Sequence, residues 1–152
     1  MALPDIYNPE VVEGVIARIQ KLSADTPPQW GKMNAAQMLA HCNVAYEISL
    51  EQRSPRPGAL VRFLLRLLIK PIIVSEKPYK PNSRTAQVFL IADERLFEVE
   101  KNRLMTYLRM VAQMGPAEFE GRPSPSFGPL TSQEYNNMYY KHLDHHLRQF
   151  GV

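Results

Sequence analysis

Three of the four histidines of this chain, His142, His145 and His146, fall within five residues, in the segment HLDHHLRQFGV. His142 and His146 are one helical turn apart, so on a helix their rings leave the same face. Imidazole binds Zn²⁺, Ni²⁺, Fe²⁺ and Cu²⁺, and an i,i+4 pair lets two ring nitrogens reach one ion. A third inward ligand would leave coordination positions open for water or substrate, as catalytic sites require. The simpler reading is that each histidine is a hydrogen-bonded core residue.

The helix that carries the cluster decides which way the rings face. Placing its residues at 100° intervals with His142 at zero, Tyr135, Met138, Tyr139, His146, Gln149 and Phe150 fall within about 80° of it. Asn137, Lys141, Asp144 and Arg148 lie on the other side, and His145 at the edge, toward solvent. The fourth histidine, His41, shares a face with Met38, Ala45 and Ile48 and also looks inward. His41, His142 and His146 can therefore meet inside a helical core.

Stepping outward along the chain, Val11, Val12, Val15, Ile16 and Ile19 repeat at helical spacing between about Asn8 and Leu22. After ADTPPQWGK, Asn34 and Gln37 form a capping box that opens a second helix reaching Ile48–Leu50, broken by EQRSPRPG. A third long helix is expected from near Asp93 to the stop at Gly115-Pro116. TSQE, from Thr131, is a second capping box, and opens the last helix, Ser132 to about Gln149. With almost no strand pattern and the prolines gathered between helices, the expected fold is all-α. It is a four-helix bundle with a long crossover between the second and third long helices.

The chain has 152 residues, 45% apolar and 22% charged, which suits one globular domain. No signal-peptide pattern opens it and no apolar run is long enough to span a membrane. The single cysteine, Cys42, excludes an internal disulfide framework and fits a reducing, cytoplasmic setting. A net charge of +3, with Lys and Arg spread along the chain, gives nucleic-acid binding little support.

HLDHHLRQ resembles the HxxHHRGQ element on the last helix of the DinB/YfiT-like superfamily of metal-binding four-helix bundles, and QMLAHC resembles its histidine-bearing second helix. WGKMNAAQMLAHCNVAYE and SFGPLTSQEYNNMYYKHLDHHLRQFGV are similar to a bacterial branch known as a domain of unknown function. The resemblance implies one divalent ion, Zn²⁺ or Ni²⁺ first, held by His41, His142 and His146, with His145 the non-ligand histidine of the motif. Leu147 and Arg148 stand where the family usually has Arg-Gly. Members include thiol-dependent S-transferases, a maleylpyruvate isomerase and proteins assigned as hydrolases. The first expectation is thus a metal-dependent S-transferase joining a small thiol to an electrophile. The runners-up are a metal-dependent hydrolase and a non-catalytic bundle that binds a ligand or forms a homodimer.

Glu100 falls in the apolar sector of the third long helix, with Phe97, Leu104, Tyr107, Leu108 and Val111. It is the candidate catalytic carboxylate: it can orient a ligand histidine, ligate the ion or serve as a general base. The preferred plainer reading leaves it solvated near the helix start. Cys42 points away from His41 and reads as a small buried hydrophobe. Tyr135 and Tyr139 read as packing aromatics on the histidine face, and Trp30 as a staple or a pocket wall. ALVRFLLRLLIK spaces Arg62, Arg66 and Lys70 four apart among leucines, a basic amphipathic helix that lids the core or pairs subunits in preference to lying on a membrane.

Overall fold

The computed structural model describes residues 2–51 and 56–152 and is mainly helical. Helix α1 (Pro9–Gln20) begins where the Asn8 side chain accepts from the Glu10 amide at 2.8 Å, with Pro9 in the first turn, where a missing N–H costs nothing. It buries Val12, Val15, Ile16 and Ile19. Each such side chain contributes about 1.5–3 kcal/mol on leaving water.

Helix α2 (Ala35–Leu50) opens on the expected capping box. Asn34 accepts from the Gln37 amide at 2.8 Å, and Gln37 accepts from the Asn34 amide at 3.1 Å. Its apolar residues face nearly every direction, so most of the helix is buried, as all-round apolarity requires. The break read at 51–58 lies partly outside the described residues.

The crossover starts as one helical rod: α3 (Ala59–Leu64), a π turn (Leu65–Ile69) and α4 (Lys70–Val74). The Lys70 amide donates to the Leu65 carbonyl, five residues back. Pro71, which lacks an N–H and crowds the preceding turn, follows immediately. A single 3₁₀ turn at Gln87–Phe89 then crosses α2.

Helix α5 (Phe97–Met114) starts later than Asp93, the expected point, because residues 93–96 stay non-helical and the Arg95 guanidinium turns back to Asp93 and Glu100. It packs on α2 and α1 through Leu104, Tyr107, Leu108 and Val111. Gly115 ends it at φ 74°, a left-handed conformation that glycine adopts without a Cβ penalty. A short antiparallel hairpin, β1 (Arg122–Ser124) with β2 (Gly128–Leu130), precedes α6 (Ser132–Gln149). The second capping box is present: Thr131 accepts from the Glu134 amide at 3.1 Å, and Glu134 accepts from the Thr131 amide at 3.0 Å.

One core joins α1, α2, α5, α6, Phe119 and Leu130. Tyr46 lies at its centre, stacked between Tyr139 at 4.6 Å and Tyr107 at 5.4 Å. The outer face expected for α6 is only partly outer. Lys141 and Asn137 are buried, because α4 lies over them and its last carbonyls take their protons. No helix among the described residues is long and apolar enough to cross a membrane.

Candidate metal centre

Helix α2 delivers His41 and helix α6 delivers His142 and His146 to one place. Among the described residues these three form a group whose ligand atoms lie within 4.8 Å of one another. The nearest pair is His41 Nε2 and His142 Nε2, 2.9 Å apart. The His41 ring lies 4.5 Å from that of His146, and His142 lies 4.9 Å from His146.

Hydrogen bonds behind the rings fix which nitrogens face the cluster. His41 Nδ1 lies 2.8 Å from the Phe89 carbonyl, which can only accept, so Nδ1 carries the proton and Nε2 keeps its lone pair. The Gln149 amide donates through Nε2 to the Trp30 carbonyl at 2.7 Å. Its Oε1 is therefore turned to His146 Nδ1, also at 2.7 Å, and that ring too presents an unprotonated Nε2. In the absence of an ion, the Nε2–H of His142 fits as donor to His41 Nε2; a cation between the rings would take the place of that proton.

The electrostatics point the same way. Burial holds the His146 imidazole down at about 3, and His41 beside it adds to the effect. Burial also lowers His41 and carries His142 well below the usual histidine range, helped by His146, His41 and His145. Three neutral imidazoles, two of them with inward lone pairs and outer hydrogen bonds to carbonyl oxygens, are what a zinc-like ion requires of its ligands. The residues present fit such an ion. His145 is not in the group; its ring stands between Trp30 at 5.8 Å and Tyr79 at 5.7 Å. Phe89 packs against His41 and His142, so aromatic rings surround much of the site.

Glu100 lies elsewhere. It is 4% exposed rather than solvated, a correction to the plainer reading. The reason is its set of partners: Asn43 Nδ2 at 2.8 Å, Arg103 at 3.0 Å and Arg95 at 3.4 Å. It is absent from the group of candidate ligands. Cys42 is a buried hydrophobe, with burial pushing its thiol up and its Sγ 3.8 Å from the Met38 sulfur. Tyr135 and Tyr139 pack in the core, the Tyr139 hydroxyl bonding to Ser49. Trp30 is a wall beside His145 and supplies the carbonyl that orients Gln149.

Two functional residues escaped the sequence reading. Gln149 sits three residues after His146, and that spacing alone marks it as a neighbour on the helix surface. Phe89 acts through its main chain from 48 residues away, and no side-chain pattern signals that.

A mainly helical chain with a buried three-histidine cluster is the class that fold and site define. The chain belongs to the family described as protein of unknown function (DUF1569), which matches residues 9–151. No curated protein and no solved structure matches it.

Proposed function

We propose that this chain is a DinB/YfiT-like four-helix bundle in which His41, His142 and His146 hold one divalent ion, Zn²⁺ or Ni²⁺ first, for transfer of a small thiol to an electrophile. The observation that carries the reading is the pair of outer hydrogen bonds, Phe89 to His41 and Gln149 to His146, which turn two Nε2 lone pairs to the same point. When bound, the ion supplies Lewis acidity that makes a thiol or water a nucleophile near neutral pH. The chain contributes three uncharged ligands, so none of the ion's charge is cancelled by the protein and an anionic thiolate is favoured at the open side. Phe89, Trp30 and Tyr79 exclude bulk water around the rings, which strengthens that attraction. A reducing, cytoplasmic setting would keep such a thiol substrate available.

The test begins with elemental analysis of protein purified without an affinity tag, beside His146→Ala. Near-stoichiometric metal in the former and its loss in the latter are expected; metal retained by the variant would mean other ligands. The loaded protein is then incubated with low-molecular-weight thiols and a generic electrophile, beside His41→Ala. Conjugation lost in the variant supports the transferase, and equal rates overturn it. Turnover of esters or amides instead would make the protein a hydrolase, and an empty native site would leave a binding bundle.

A further inference from the structure

The crossover rod turns its leucines outward. Leu60, Phe63, Leu64, Leu67, Leu68 and Ile72 recur at three- and four-residue spacing and are all exposed, Leu60 to 73% and Phe63 to 61%. A stripe of this length exceeds the scattered apolar residues of an ordinary monomer surface and marks a contact face. The opposite side of the rod, with Arg62, Leu65, Lys70, Ile73 and Val74 half-buried, is the one held to the body of the protein. Lys70 pairs with Glu134 at 2.8 Å, and Lys141 and Asn137 of α6 bond the carbonyls of Ile72 and Val74. The rod is thus fixed with its leucine stripe out, while its α4 end covers α6 and packs Val74 against the core.

Charge says what the face meets. Residues 53–84 carry eight basic side chains and one acidic one, whereas the rest of the chain carries ten basic and fourteen acidic. Basic charge is therefore massed around the rod rather than spread evenly, as the whole-chain count had suggested. Arg56 before the rod, Arg66 on it, and Lys77 and Lys80 beyond it are exposed. A second copy would bring this cationic segment against itself, with no Asp or Glu between positions 52 and 75 to pair with it. An anionic phospholipid surface complements both features, taking the leucine stripe into the headgroup boundary and the flanking cations at the phosphates.

We infer that the 59–74 rod is an interfacial docking element that seats the protein on an anionic membrane without spanning it. The apolar stripe supplies insertion, and the cations supply selectivity for negative lipid. Because α4 is tied to α6 next to His142, docking also fixes how the histidine cluster is held relative to the membrane.

Vesicle flotation tests this with the full chain. Vesicles of phosphatidylcholine alone are compared with roughly three-to-one phosphatidylcholine and phosphatidylglycerol, at low and high salt. The protein should float with the anionic vesicles at low salt, much less at high salt, and not with the neutral ones. The triple variant Leu60→Gln, Phe63→Gln, Leu67→Gln should lose binding about tenfold or more with an unchanged far-ultraviolet circular dichroism spectrum. Arg66→Gln, which leaves the apolar stripe intact, should weaken binding about fivefold. Equal flotation with both vesicle types, or none with either, overturns the inference. So does a dimer in sedimentation equilibrium that the triple variant abolishes while neither protein binds vesicles, which would assign the face to self-association.

Discussion

His146 Nδ1 and Gln149 Oε1 stand 2.7 Å apart in the last turn of α6, and the same Gln149 amide bonds the Trp30 carbonyl on the other side. One side chain thereby ties the loop before α2 to a candidate metal ligand. The ring of His146 is aimed by a residue of its own helix, three positions on.

Gln149→Leu removes that acceptor at nearly constant volume. Metal affinity should fall about 10–100-fold, the usual effect of losing a ligand's outer hydrogen bond. Gln149→Glu keeps an acceptor and should recover most of it. Equal affinity in all three proteins, measured by competition with a chelating dye, would show that the bond does not orient the ligand.

Gly31 is a second way to reach the same bond. A Cβ there would lie 2.6 Å from Gln149 Nε2, and its φ of +83° is one that L side chains rarely adopt. Gly31→Ala should cost about 1–2 kcal/mol from backbone strain alone, read by denaturant unfolding. Displacement of Gln149 should weaken metal binding in the same variant. Unchanged stability would mean that the loop shifts freely.

Glu100→Gln separates two roles for that carboxylate. Its contacts with Asn43, Arg95 and Arg103 predict a loss of about 1–3 kcal/mol in stability with zinc content unchanged. Loss of turnover without loss of stability would restore Glu100 as a catalytic group.

Acid should unfold the metal-stripped protein early. His41, His142 and His146 are lowered in the folded state, whereas in the unfolded chain they titrate near 6.5. Below that value the unfolded state binds more protons, so stability falls as pH drops from about 6.5 toward the folded values. The slope is up to roughly 1.4 kcal/mol per pH unit for each ring. Under the proposed metal site, saturating zinc should compete with protons for the same nitrogens and shift the loss to lower pH. A flat stability profile between pH 7 and 5 would show that the rings are not held neutral.

Lys141→Met tests the tether of the crossover. The buried ammonium, brought down to about 8 by burial, donates to the Ile72 carbonyl at 2.7 Å and faces the Tyr79 ring at 4.6 Å. Its loss should cost about 1–3 kcal/mol and raise amide exchange across 59–75 above that of α2. Unchanged exchange would mean that other contacts hold the rod.

What could be read from the residues, and what could not, follows the range of the forces involved. Both capping boxes and the inward direction of His41, His142 and His146 are local, set by spacing of three or four residues, and they stand in the structure as expected. The late start of α5 and the burial of Glu100 depend on Arg95 and on Asn43 from another helix. Lys141 reads as a surface lysine until α4 is laid over it. A helical wheel sees only its own helix, so it assigned to solvent a face that the crossover covers.

Trp30 is the sole tryptophan of the chain, and its ring centre lies 5.8 Å from that of His145 while its carbonyl holds Gln149. The protein therefore carries a single indole fluorophore, excited selectively at the red edge beyond the tyrosines, two hydrogen bonds from His146. An ion that draws that ring even slightly would move the indole's surroundings, and its emission would report occupancy of the site without any added label.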